Sequence, residues 1–283
     1  MTNYFQFQRF FLTGSLLLSL FLANAQPIYY STANAHSHND YEQPFPFWTA
    51  YKATFGSIEA DIFLVKGKLL VAHTSSELSL NRSLEDLYLK PLLSCLHKQG
   101  GFAYADTSRH LQMLIDVKTD SSKTLDALVS LLQHYPELIH SATVKWVITG
   151  NRPSPHRFDT YPDFIWFDGE LNKTYSAKAL KRIVMLSDDL SRYTNWNGKS
   201  PIPAKDRVLL KNIIFQAHRL HKPVRFWDAP DFTEAWKTLI GIGVDYINTD
   251  HIESLSHFLK EFNSAEQRKA TDASSPLHSI SGG

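Results

Sequence analysis

Between Ala35 and Thr74 the chain gathers His36, His38, Asn39, Glu59, Asp61 and His73 into short runs that read as strand ends. These residue types suit one kind of chemistry, in which carboxylate and amide oxygens hold a hard cation while imidazoles move protons. Ser57-Ile58-Glu59-Ala60-Asp61-Ile62 sets two carboxylates two residues apart, and the strand period of two points both to one face. Phe63-Leu64-Val65 and Leu69-Leu70-Val71 flank Lys66-Gly67-Lys68, a hairpin signature with Gly67 in the turn. Antiparallel pairing of the two arms returns His73 to the carboxylates.

Strand-like runs at Thr32 to Ala35, Ser57 to Phe63, Leu111 to Val117, Thr143 to Thr149, Phe164 to Phe167, Ile183 to Leu186, Val224 to Trp227 and Asp245 to Asn248 must position these groups. Helical patterns intervene at Pro46 to Thr54, Leu84 to Lys98, Ser122 to His134, Ser176 to Leu180, Lys205 to His221 and Phe232 to Ile240, with a last one at His251 to Phe262. The alternation predicts an α/β fold, a single-domain TIM-like (β/α)8 barrel. A doubly wound sheet is the competing architecture, but no Gly-rich phosphate loop follows the first strand. Barrel enzymes place their chemistry at the C-terminal strand ends. There stand His38 and Asn39, Glu59 and Asp61, Asp116 and Lys118, then Asp168, Asp188, Asp228 and Asp250. Asp188 and Asp250 read as helix caps. His36 reads as structural, and Arg225 and Trp227 as contacts to a phosphate or leaving group.

With 29 Lys+Arg against 28 Asp+Glu in 283 residues, the net charge of +1 gives no reason to expect nucleic acid. The run from Phe10 to Leu22 after Arg9, followed by Ala23-Asn24-Ala25, has the pattern of a signal peptide over residues 1–25. It implies an exported protein, periplasmic or extracellular, without stable membrane insertion after cleavage. The single cysteine, Cys95, excludes an intramolecular disulfide and a multi-thiolate metal site. The barrel is expected over 26–263 and a disordered tail over 264–283, where Ser, Ala and charge dominate.

Ser37-His38-Asn39-Asp40-Tyr41, Glu59-Ala60-Asp61 and Val71-Ala72-His73 together resemble the phospholipase C-like phosphodiesterase superfamily, which includes glycerophosphodiester phosphodiesterases and phosphatidylinositol-specific phospholipases C. The resemblance implies a TIM-type barrel, His38 and His73 as catalytic acid and base, and Asn39, Glu59 and Asp61 as metal ligands. Asp116-Val117-Lys118 is similar to the family's E-x-K, which makes Asp116 a further ligand and Lys118 a phosphate contact. The implied cofactor is one divalent cation, Ca²⁺ or Mg²⁺. The chain departs from the H-R-G and E-N-T pattern of glycerophosphodiesterases, and Asp116 is one methylene shorter than the usual glutamate.

The expected activity is metal-dependent phosphoric diester hydrolysis of a small glycerophosphodiester-like or phosphoinositide-like headgroup. A diester repels nucleophiles, so a cation on a non-bridging oxygen and proton transfer at both ends are required. Two other classes compete. His36-Ser37-His38 is also the H-x-H of amidohydrolase-like and histidinol-phosphatase-like metallohydrolases, in which both histidines ligate metal; later strand ends here supply Asp, Lys, Asn and Arg, with His251 the one nearby histidine. A non-catalytic exported binding barrel would need no acid and base pair.

Overall fold

The computed structural model describes Pro27 and residues 29–274. The signal-peptide reading over 1–25 lies outside the described residues. Nine strands form one sheet: β1 (Ala35–Ser37), β2 (Ser57–Val65), β3 (Lys68–Val71), β4 (Leu111–Val117), β5 (Val144–Gly150), β6 (Ile165–Glu170), β7 (Ile183–Asp189), β8 (Val224–Trp227) and β9 (Ile247–Thr249). Their order, β8-β7-β6-β5-β4-β2-β1-β9, is parallel throughout, and an Arg225 to Tyr246 bridge brings the two ends together. β3 hangs antiparallel on β2 alone. The result is a nearly closed eight-stranded barrel with helices around it, the architecture expected from the alternation.

The helices are α1 (Trp48–Lys52), α2 (Lys90–Lys98), α3 (Ser121–Leu132), α4 (Pro136–His140), α5 (Ala177–Leu180), α6 (Ala204–Arg219), α7 (Thr233–Ile242) and α8 (Ile252–Ser274). α3 starts where the Asp120 side chain accepts from the Lys123 N–H, and α7 stops at Gly243 in a left-handed conformation. Among the described residues no helix is long and apolar enough to cross a membrane.

The two faces of β2 bury different chemistry. Ile58, Ala60 and Ile62 join the apolar layer under the helices, while Glu59 and Asp61 point into the barrel. Inside, Leu114, Val147 and Met185 form a separate apolar plug with Trp166 and Tyr246. One step further along the strands, Asp61 lies beside Asp116 and Asp116 beside Thr149. The plug therefore closes the barrel beneath a polar layer that opens at the C-terminal strand ends.

Three sequence expectations shift. The first strand, expected from Thr32, begins at Ala35, because Ser31 and Asn34 cap each other across a 3₁₀ turn over Thr32–Asn34. The last strand starts at Ile247 instead of Asp245, whose carboxylate accepts from the Val224 N–H and pairs with His218. The expectation of a disordered tail from residue 264 is corrected as far as Ser274, because α8 continues through that segment; 275–283 lie outside the described residues.

Candidate active site

Glu59, Asp61 and Asp116 each offer a carboxylate oxygen within 4.8 Å of the others, at the mouth of the barrel. Strand register makes this cluster: β2 and β4 run parallel with Asp61 opposite Asp116, and Glu59 sits two residues below Asp61 on the same face. Asp61 Oδ1 and Asp116 Oδ1 are buried without a hydrogen-bond partner. Buried carboxylate oxygens seldom stay unsatisfied, so two unpartnered ones within a cluster of three carboxylates fit a hard divalent cation. The shorter Asp116 is not out of reach, because β5 makes room: a Cβ on Gly150 would stand 1.9 Å from Asp116 Oδ1.

Lys118 Nζ donates to Asp61 Oδ2 at 2.9 Å and to Asp116 Oδ2 at 2.8 Å. Burial and the charges of Glu59 and Asp116 push the Asp61 carboxyl up to about 7, against the opposing pull of Lys118. Asp116 is shifted upward for the same reasons, burial first and then Glu59. Glu59 moves the other way. Burial alone would raise it, but the His36 hydrogen bond and the Arg225 guanidinium hold it below the usual carboxylate range.

His38 and His73 both line the same cleft, of about 360 Å³, with Glu59, Asp116 and Lys118. His38 Nδ1 lies 2.9 Å from Asp250 Oδ1, which leaves Nε2 as its other ring nitrogen. Burial draws the His38 pKa down, yet the Asp250 hydrogen bond and the Glu59 and Asp250 charges outweigh it, and the net shift is upward. Asp250 is thus not the helix cap expected of it. Asp231 fixes its position by accepting from the Asp250 N–H, the Thr249 hydroxyl and the Trp236 indole N–H. The β2–β3 hairpin carries His73 back as its turn requires. Lys66 and Gly67 both have positive φ, Val65 pairs with Lys68, and Ile62 pairs with Val71. His73 Nδ1 ends 3.9 Å from Asp61 Oδ2 and 3.0 Å from the Tyr41 hydroxyl.

Asn39 takes the left-handed region at φ 44, which asparagine tolerates, and its Oδ1 accepts from the Tyr41 hydroxyl at 2.7 Å. The same hydroxyl lies 2.8 Å from Asp61 Oδ2. Burial and the Asp61 charge raise the Tyr41 pKa strongly, so the phenol keeps its proton. The turn is anchored by buried Asp40, which accepts from Ser37 Oγ, the Phe47 N–H and the Tyr88 hydroxyl.

Arg225, expected to meet phosphate, reaches the cleft floor but is 3% exposed and otherwise engaged. Its Nη1 lies 3.1 Å from Glu59 Oε2 and donates to Asn248 Oδ1 at 2.9 Å, and its Nη2 is 3.8 Å from Asp168 Oδ2. Its geometry is that of a counter-ion to buried carboxylates. His36 is fully buried, with Nδ1 2.7 Å from Ser57 Oγ and Nε2 2.8 Å from Glu59 Oε2. Burial and Arg225 bring its pKa down to about 4, so the ring is neutral. Arg225 Nη1, 2.7 Å from Nε2, occupies the approach that a His36-bound metal would need, which removes the H-x-H metallohydrolase reading.

Across the cleft stand the pairs Arg152–Glu170 and Arg192–Asp188, beside half-exposed Trp227. Asp188, also expected as a cap, accepts from the Tyr193 hydroxyl; neighbouring Asp189 does the capping. Asp168 is buried and accepts from Thr149 and Ser187. Sequence reasoning missed Tyr41 as a site residue, although it closes the quoted Ser37 to Tyr41 segment, and missed Asp250 because its position also fits a cap.

Residues 24–142 match the AIM6-like phosphodiesterase domain, and residues 223–253 match the Glycerophosphoryl diester phosphodiesterase family. The first span contains every site residue from His36 to Lys118, and the second contains Arg225 and Asp250. Both matches support the glycerophosphodiesterase and phospholipase C-like superfamily for this chain. At family level they support phosphodiester hydrolysis as the chemistry. Among curated proteins, the chain is 26% identical over 259 residues to the Altered inheritance of mitochondria protein 6 homolog of Arthroderma benhamiae, covering 77% of this chain and 81% of the relative. It is also 26% identical over 300 residues to Altered inheritance of mitochondria protein 6 of Kluyveromyces lactis, covering 80% and 72%. A crystal structure of a glycerophosphodiester phosphodiesterase from Parabacteroides distasonis aligns with a TM-score of 0.48 at 13% identity, over 82% of this chain and 96% of that one. One expectation is overturned. The relatives are fungal proteins named for altered inheritance of mitochondria, which counts against the exported, periplasmic or extracellular reading.

Proposed function

We propose that this superfamily member hydrolyses a small phosphodiester, glycerophosphodiester-like or phosphoinositide-like, with one divalent cation and the pair His38 and His73. The observation that carries the reading is that two imidazoles from different loops line one cleft with Glu59 and Asp116, whose carboxylates cluster with that of Asp61, and that Asp61 and Asp116 each keep a buried oxygen without a hydrogen-bond partner.

Glu59, Asp61 and Asp116, with the Asn39 amide oxygen, would hold Ca²⁺ or Mg²⁺, hard cations that prefer oxygen donors. When bound, the cation neutralises a non-bridging phosphate oxygen and eases deprotonation of the attacking hydroxyl or water. His73 takes the proton of the attacking oxygen. His38 gives a proton to the leaving alkoxide, and the Asp250 carboxylate behind its Nδ1 stabilises the protonated ring for that step. Lys118 lies at the carboxylate edge of the cleft, where its ammonium meets an incoming phosphate. Each positioned acid or base contributes roughly 10²–10⁴-fold. The cleft volume of about 360 Å³ suits a headgroup better than a whole lipid.

The test strips the purified protein with chelator and assays bis-p-nitrophenyl phosphate and a glycerophosphodiester with Ca²⁺ or Mg²⁺ restored. Cation-dependent turnover that disappears in both His38→Ala and His73→Ala supports the proposal. Tight cation binding with no cleavage of either diester refutes it.

A further inference from the structure

The Tyr41 hydroxyl has three polar neighbours: Asn39 Oδ1 at 2.7 Å, Asp61 Oδ2 at 2.8 Å and His73 Nδ1 at 3.0 Å. A phenol has one proton to give and can also accept. With Asp61 ionised, the amide and carboxylate oxygens only accept, so the phenol proton goes to one of them. The third contact is then a hydrogen bond only if His73 Nδ1 carries the proton and donates it to the phenol oxygen. We propose that Tyr41 is a positioning residue that holds His73 as the Nδ1–H tautomer, leaving Nε2 as the bare nitrogen that takes the substrate proton. The inference rests on the phosphodiesterase reading for its catalytic meaning, but the tautomer is a property of the protein alone.

One distance makes the phenol necessary. His73 Nδ1 and Asp61 Oδ2 stand 3.9 Å apart, beyond hydrogen-bond range, so the carboxylate cannot orient the ring directly. Tyr41 supplies the missing link between an imidazole whose side chain is 50% exposed and a carboxylate that is 1% exposed. An imidazole so open to water otherwise has little to fix its rotation or its tautomer, and in water the Nε2–H form is the commoner one. Tyr41 itself is well held. Its carbonyl accepts from Arg82 Nη2 at 2.5 Å, and its ring is 3% exposed in the turn anchored by Asp40. Because the same hydroxyl touches Asn39 and Asp61, it also ties the placement of His73 to two of the proposed cation ligands.

The experiment labels the histidine rings of the whole protein with ¹⁵N and reads the His73 tautomer from two- and three-bond ¹H–¹⁵N correlations, assigned by their loss in His73→Gln. The wild type is expected to show Nδ1–H, and Tyr41→Phe to move His73 toward Nε2–H while the other histidine signals stay in place. In the diesterase assay Tyr41→Phe should lower kcat about tenfold at little-changed KM, the loss of roughly one hydrogen bond to a reacting group. A wild-type His73 in the Nε2–H form overturns the proposal and needs no variant. An unchanged tautomer or an unchanged kcat in Tyr41→Phe overturns it as well. If no diester is cleaved even by the wild type, the function assignment fails while the tautomer still decides the role of Tyr41.

Discussion

Asp61→Asn should make the cation-free protein more stable at pH 8 and abolish its response to divalent ions. The Asp61 carboxyl is raised from 3.8 to about 7 by burial and by the charges of Glu59 and Asp116. Between those two values the folded state holds a proton that the unfolded chain has lost, so this group makes stability fall as pH rises from about 4 to about 7 and level off above that. The rise from 3.8 to about 7 corresponds to about 4 kcal/mol at pH 8. At pH 5 only the span above the unfolded value counts, about 1.6 kcal/mol. Asparagine removes the charge but turns the Lys118 and Tyr41 contacts into neutral bonds, a loss of about 1–2 kcal/mol. The net expectation is a gain of about 2 kcal/mol at pH 8 and almost none at pH 5. Urea unfolding in chelator at both pH values reads this difference, and thermal unfolding at pH 8 should rise by several degrees. Adding Mg²⁺ or Ca²⁺ should then stabilise the wild type and leave the variant unmoved. A variant less stable than wild type at pH 8, or equally stabilised at both pH values, would refute the crowding argument.

Arg225→Met leaves Glu59 and Asp168 without their counter-ion and should cost about 3–5 kcal/mol in urea unfolding; a cost near zero would mean the guanidinium is not the internal partner that its distances indicate. Gly150→Ala sets a methyl 1.9 Å from Asp116 Oδ1 at a backbone φ of 67 and should weaken cation binding at least tenfold by calorimetry. Asp250→Asn removes the charge behind His38 Nδ1; kcat should drop by about tenfold or more and the His38 pKa, followed by NMR, should fall.

Local rules carried much of the molecule. The period of two along β2 sent Glu59 and Asp61 to one face and Ile58 and Ile62 to the other, because strand geometry leaves no alternative. The Lys66-Gly67 turn set the register that returns His73, and strand and helix alternation implied the barrel that aligns Asp116 with Asp61. The same segments carried the superfamily resemblance, so the convergence of three carboxylates and two imidazoles was legible before any fold was known. The export reading, drawn from the N-terminal apolar run alone, is the one the relatives overturn.

Tertiary structure decided which partner each polar group meets. Asp250 follows β9 in a position where a helix cap and an imidazole partner have the same local signature, and only the packing of β9 against β1 puts it on His38. Arg225 sits on a strand whose inward face is fixed by period, but barrel closure next to β9, β1 and β2 makes it the counter-ion of Glu59 instead of an open phosphate contact. Tyr41 shows the limit most plainly: its place two residues after Asn39 was visible, yet the meeting of its hydroxyl with Asp61 and His73 depends on how the loop after β1, strand β2 and the segment after β3 come together. Sequence spacing governs direction along one strand or turn, whereas hydrogen-bond partners across the barrel mouth are set by closure of the sheet, a long-range event that no local window contains.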